Sequence, residues 1–357
     1  MNSRGDVHVR KKTAYFLIGF IIFSAIAFAG IYAAYSSMLN PAASQADTLV
    51  FEVSQGSSIT STAENLQSEG LIKNSLAFRI HAKLENYNNL QAGFYEISAT
   101  MSAKDIAQKI FSGDAVFPDS INVTFPEGKT IDEMAAILGE NTNSSSEDIL
   151  SLWNSSDFID QAIEDYWFVT EEVKDPNLKY ALNGYLFPST YQFKNKDVTP
   201  QEAGRIMLDQ MEKVLSKYKD QIDAASMTPH QVLTLASIIE YEAIFDEDRP
   251  IVSGVFYNRL NTGMRLQSCA TLQMALGVHK QIYSTSDMQV DSPYNTYLVD
   301  GLPVGPGNSP GEPSIDAALN PEEHDYYYFL SDIYGDNKTY YSSTLEEHNR
   351  LKSEILN

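Results

Sequence analysis

The chain has 357 residues, 43% of them hydrophobic, and a formal net charge of −22 from 25 Lys and Arg against 47 Asp and Glu. That length is ample for two or three folded units, and the acidity excludes a nucleic-acid binder, which needs a basic face to replace phosphate counterions. The lone cysteine, Cys269, excludes an internal disulfide, and His8, His81, His230, His279, His324 and His348 show no close ligand spacing, so neither metal nor cofactor is expected.

The charge is distributed unevenly. Arg4, Arg10, Lys11 and Lys12 oppose only Asp6 at the N-terminus, and no charged residue then occurs before Asp47. Residues 14–35 are mostly Ile, Phe, Ala and Leu. A helix of that length rises about 33 Å, enough to cross a bilayer core. The basic cluster predicts a cytoplasmic tail over 1–13, a single membrane-spanning helix over 14–35 and an extracytoplasmic remainder. Tyr15, Tyr32 and Tyr35 sit where interfacial aromatics belong. The rival is a cleaved signal peptide with Ala42, Ala43, Ser44 and Ala46 near the cut, but its apolar stretch is usually only about 7–15 residues.

Residues 36–46 are small and polar and read as a stalk. A compact unit over 47–115 follows: a strand at 49–53, helices at 59–68 and 78–84, a strand at 93–97, and a helix at 102–111 closed by Gly113. Strand–helix–helix–strand resembles a LysM-like module, with a plain spacer as the alternative. A larger unit over 118–357 opens with a strand at 121–125 and a helix at 131–138. Helices are predicted at 149–154, 158–166 and 200–215, with an aromatic stretch at 183–191 that reads as core or cleft wall.

Thr228-Pro229-His230-Gln231 is a capping box with Pro at the first helical position. The run Val232 to Ile239 that follows is apolar nearly all round, which marks a buried helix. At helical spacing Glu240 stacks on Ala236, Ser237, Val232 and Leu233, so its carboxyl emerges from an apolar row. Desolvation there favours the protonated form, as general-acid chemistry near neutral pH requires. The bland alternative is an ion pair with Arg249, Arg259 or Arg265. Glu242 lies about 200° around the helix and cannot share that face. A second buried helix spans 251–260, with Gly254 permitting close helix packing. Tyr294, Asn295 and the Gly/Pro loops after them suit a sugar cleft. Cys269 has no base beside it and reads as a buried structural thiol.

Leu235 to Glu240, Gly254 to Leu260, Gly263 to Ser268, Tyr294-Asn295-Thr296-Tyr297, Gly301-Leu302-Pro303 and Glu347-His348-Asn349 occur here in the order seen in the endolytic murein transglycosylases, the MltG or YceG-like family. Phe125-Pro126-Glu127-Gly128 and Gly184 to Pro188 match as well. The resemblance implies a lyase that cleaves peptidoglycan between N-acetylmuramic acid and N-acetylglucosamine and leaves a 1,6-anhydro end. It implies Glu240 as the catalytic acid and then base, with Gln267, Tyr294, Asn295, Asn258, Thr296 and Tyr297 around the sugar. Cys269-Ala270, Asn183 and Ser189 depart from the family pattern and leave open whether a second carboxylate assists.

The predicted fold class is therefore α+β: one N-terminal membrane helix, a small LysM-like module and a larger mixed catalytic domain. The expected partners are glycan strands, the membrane and the cell-wall synthases of elongation or division. A non-catalytic wall-binding scaffold and a hydrolytic muramidase are the competing functions, the second needing another carboxylate beside Glu240.

Overall fold

The structure, a computed structural model, describes the backbone of residues 4–355 except Gln281, and the side chains of residues 20–355 with the same exception. The basic cluster Arg10-Lys11-Lys12 and Tyr15 lie outside the described side chains. Two compact units divide at Pro118.

The first unit opens with helix α1 (Arg4–Leu39), in which Phe20–Leu39 is long and apolar enough to cross a membrane. The helix does not stop at residue 35. Nothing breaks it before Pro41, which disfavours helix at the residue preceding it. Leu39 is buried in the core of the unit, and Tyr35 packs against that core. The residues beyond are not a free stalk either. The Ala43 amide donates to the Ala99 carbonyl at 2.9 Å, and the Ser98 hydroxyl donates to the Ala46 carbonyl at 3.2 Å.

Strand β1 (Thr48–Val53), helices α2 (Ile59–Ser68) and α3 (Ser75–Leu84), strand β2 (Gly93–Ser98) and helix α4 (Ala103–Ser112) follow. β1 and β2 pair antiparallel, from Thr48 opposite Ser98 to Val53 opposite Gly93. Ser58 and Ser102 close capping boxes on α2 and α4, and Gly113 ends α4 at φ +76°. α3 begins earlier than its apolar run because the Asn74 side chain accepts from the Ala77 amide at 2.8 Å. Phe51, Leu66, Phe78, Tyr95 and Ile106 fill the space between sheet and helices.

In the second unit, strand β3 (Ile121–Thr124) leads into α5 (Ile131–Asn141), α6 (Ser146–Trp153) and α7 (Ser156–Asp165). Strand β4 (Thr190–Phe193) returns antiparallel to β3, with Thr124 opposite Thr190. Then come α8 (Pro200–Leu215), α9 (Lys219–Ala224), α10 (Pro229–Glu242), α11 (Arg249–Thr262), α12 (Cys269–Leu276) and α13 (Glu312–Leu319). An antiparallel hairpin, β5 (Tyr328–Ser331) with β6 (Thr339–Ser342), and helix α14 (Leu345–Ile355) complete it. Helices with small two-stranded sheets make an α+β chain.

The central element is α10, capped by Thr228 and Gln231 and buried from Val232 through Ile239. The aromatic stretch before β4 is core, since Leu182, Tyr185 and Leu186 are buried. Tyr185 reaches His230 Nδ1 at 2.7 Å, while His230 Nε2 meets the Val304 carbonyl at 2.9 Å. A carbonyl only accepts, so Nε2 donates to Val304. Gly254 does permit a close approach, but its partner is a loop rather than a helix: a Cβ there would lie 2.2 Å from the Glu322 carbonyl oxygen.

Candidate active site

Two loops far apart in the chain meet over the last turns of α10. The Gly128 amide donates to the Ser309 carbonyl at 2.9 Å, and the Ser309 amide returns to the Lys129 carbonyl at 2.8 Å. Asn183 ties both loops down, accepting from the Ile131 amide at 2.9 Å and donating to the Pro306 carbonyl at 2.9 Å. Ser237, one turn before Glu240, receives the Gly307 amide on its hydroxyl at 3.1 Å and the Asn308 side-chain amide on its carbonyl at 2.9 Å. These bonds fix the loop that ends at Gly311.

Glu240 emerges from the apolar row at the end of this helix, with only 7% of its side chain exposed. The Gly311 amide donates to its Oε2 at 3.0 Å. Arg249, itself buried at the start of α11, spans the carboxyl with Nη1 at 3.3 Å from Oε2 and Nη2 at 3.4 Å from Oε1. Of the three arginines offered by the sequence, Arg249 is the partner. It is held in turn by Asp246 at 3.0 Å and the Ser314 hydroxyl. Cation and amide offset the cost of burying the carboxylate.

A second carboxyl stands beside this one. Glu127 packs against Gly311 so closely that a Cβ on the glycine would lie 2.0 Å from Glu127 Oε1. Burial pushes the Glu127 carboxyl up, the charge of Glu240 adds to the rise, and Arg249 opposes it. Glu127 sits in the matched segment Phe125 to Gly128, where its carboxyl was the available signal. Gly311 and Asn308 carry no comparable sequence mark, because only tertiary structure brings them to α10.

The other candidates divide. Gln267 is exposed, carries a positive φ of +45°, and is held by its amide to the Thr296 carbonyl at 3.2 Å. A non-glycine residue in that conformation is strained, as is common in binding loops. Asn295 is fully buried and donates to the Met288 and Val290 carbonyls at 3.1 and 2.8 Å. Thr296 is also fully buried and shares a hydroxyl bond with Thr271 at 2.7 Å. Asn258 donates to the carbonyls of His324 and Tyr326 at 2.8 and 2.9 Å. Tyr294 is buried and its hydroxyl accepts from the Lys179 amide at 3.3 Å. Tyr297 lies near Cys269, with 3.9 Å between hydroxyl and sulfur.

Cys269, the first residue of α12, is exposed as a residue rather than buried. Burial of its sulfur, followed by the charge of Glu242, still pushes the thiol up to about 11. Glu242 points away from Glu240, as its helical position requires, and accepts from the Ser268 hydroxyl and the Ala270 amide at the start of α12. Among the described residues, no three His, Cys, Asp or Glu side chains are grouped as metal ligands. Two surface hollows of about 340 and 480 Å³ share Lys174 and Asp175 and are lined by neither Glu240 nor Glu127.

Comparison with known proteins places this architecture. A Listeria monocytogenes yceG-like protein of known crystal structure is 38% identical, with a TM-score of 0.62 over 86% of this chain and 100% of that one. The endolytic murein transglycosylase of Bacillus subtilis (strain 168) is 35% identical over 90% of this chain and 88% of its own length. That of Streptococcus pneumoniae serotype 2 is 34% identical over 96% of this chain, which spans 65% of the pneumococcal protein. Residues 51–354 match the YceG-like family. The chain is a member of the YceG-like family.

Proposed function

We propose that this chain is a membrane-anchored lytic transglycosylase that cleaves peptidoglycan glycan strands, with Glu240 as its acid and base. The observation that carries the reading is the pair formed by Glu240 and Glu127 on either side of Gly311. The names of the relatives support the substrate class. The apolar stretch of α1 supports the anchor, with the N-terminus cytoplasmic. The β1–α2–α3–β2 order supports a LysM-like module, and a membrane anchor would bring the chain to the cell-wall synthases of elongation or division.

In this mechanism the carboxyl pair holds one proton, and Glu240 delivers it to the glycosidic oxygen as the bond from the muramic C1 breaks. The positive charge that develops on the sugar ring faces the carboxylate left behind. The C6 hydroxyl of the same sugar then bonds to C1 and gives its proton to that carboxylate. The ring closes as a 1,6-anhydro product, no water is consumed, and the enzyme regains its proton. Arg249 positions Glu240, and Gln267, whose side chain is exposed, bonds a sugar hydroxyl.

The second carboxyl also favours a hydrolytic reading, in which Glu127 activates water. Digestion in heavy-oxygen water separates the two. The lytic reaction leaves the isotope in solution, whereas hydrolysis carries it into the new reducing end.

A further inference from the structure

We propose that helix α3 lies in the headgroup layer of an anionic membrane, with Leu76, Ile80 and Leu84 against the acyl chains and Arg79 and Lys83 on lipid phosphates. The proposal rests on the reading of α1 as a membrane-spanning helix.

Leu76, Ile80 and Leu84 recur every fourth residue on one side of α3 and are 58%, 42% and 66% exposed. Ala77, Phe78, His81 and Ala82 on the opposite side are buried in the core of the unit. Single exposed aliphatics are ordinary, but a continuous stripe of three on one helix leaves an uncovered apolar face. Arg79 and Lys83 project from the same exposed arc, and α3 contains no acidic residue. That is an unusual local balance in this protein, whose residues 118–357 hold 38 acidic against 16 basic side chains. Aliphatic and basic side chains on one helical face form the pattern of an interfacial helix.

The covalent path also leaves α3 little room to stand away from the bilayer. α1 packs directly on α3. The Tyr35 hydroxyl lies within electrostatic reach of Glu85, which caps the end of α3. Leu39 is buried within the unit, and Ala43 and Ala46 are hydrogen-bonded to it. With no free linker between the spanning helix and the folded unit, α3 is kept close to the headgroups. A symmetric contact with a second copy of this chain through this face would instead set Arg79 and Lys83 against their own like charges. A glycan strand offers hydroxyls and no match for three aliphatic side chains.

The test uses the full chain in a Cys269→Ser background, with single cysteines introduced as Phe28→Cys in α1 or Ile80→Cys in α3 and labelled with a fluorophore. The protein is reconstituted into phosphatidylglycerol–phosphatidylcholine vesicles, and quenching by aqueous iodide is compared with quenching by a shallow acyl-chain nitroxide. Both positions are expected to be quenched by the nitroxide. Adding Arg79→Glu and Lys83→Glu is expected to weaken docking about fivefold per charge and to expose position 80 to iodide while leaving position 28 unchanged. Lipid quenching at 28 with free iodide access at 80 overturns the proposal and leaves the anchor intact. Iodide access at both positions removes the spanning helix and the proposal with it. Shielding of 80 from both quenchers indicates a protein contact and also overturns it.

Discussion

Glu127 and Glu240 meet across Gly311: the glycine amide donates to Glu240 at 3.0 Å, and its α-carbon has no space for a methyl group because the Glu127 carboxyl occupies it. Gly311→Ala therefore displaces the end of a flexible side chain without opening the core, since the glycine φ of −74° suits alanine. Its unfolding free energy should change by less than about 1 kcal/mol. Glycan cleavage should fall at least about tenfold, as in Glu127→Gln. Denaturant titration beside a cleavage assay measures both; retained cleavage would remove Glu127 from the site.

Arg249 neutralises a carboxylate that is almost wholly buried. Arg249→Met leaves Glu240 uncompensated and should cost about 3 kcal/mol of stability at neutral pH. In the double variant with Glu240→Gln most of that loss should return, because no buried charge remains. A denaturation cycle over the four proteins that proves additive would show that the two residues do not couple.

The raised Glu127 carboxyl makes stability fall with pH. A group held above its ordinary value of 4.5 by burial, and then by Glu240, contributes stability that is complete below that value. The contribution is lost as the pH climbs through the raised value. Relative to Glu127→Gln, the native protein should thus lose ground from about pH 4.5 upward. Replacing Glu240 instead, in Glu240→Gln, should reduce the rise at Glu127, because the Glu240 charge adds to it. Parallel stability curves for the native protein and Glu127→Gln would contradict the rise.

Gln267 combines an exposed side chain with a backbone φ of +45°. Gln267→Gly relieves the strain and should leave stability unchanged or higher by about 1 kcal/mol. Loss of the side chain should nonetheless lower cleavage roughly tenfold if it bonds a sugar hydroxyl. A variant that keeps full activity would reduce Gln267 to a turn residue.

Gly254 faces a backbone atom, the Glu322 carbonyl, which cannot rotate aside. Gly254→Ala should destabilise by about 2 kcal/mol in thermal or denaturant unfolding. A neutral result would mean that the loop before β5 shifts freely.

Much of this fold is local and was therefore readable. The Thr228 box and the apolar run fix α10, Gly113 ends α4, and the helical phase of Glu240 and Glu242 sends one into the site and the other to α12. Long-range convergence was not readable. Glu127 and Gly311 reach Glu240 only because Asn183 and Ser237 hold two distant loops together. Composition misled at residues 36–39, where small residues suggested a stalk but the burial of Leu39 extends the helix. It also could not distinguish a buried asparagine bonded to carbonyls, as Asn295 is, from one that faces solvent.

The most direct measurement is mass spectrometry of the products after purified glycan strands are incubated with the full chain or with Glu240→Gln. Lytic chemistry through Glu240 predicts 1,6-anhydromuramic ends from the native protein and none above background from the variant. Anhydro ends produced equally well by Glu240→Gln, or reducing ends from the native protein, would contradict it.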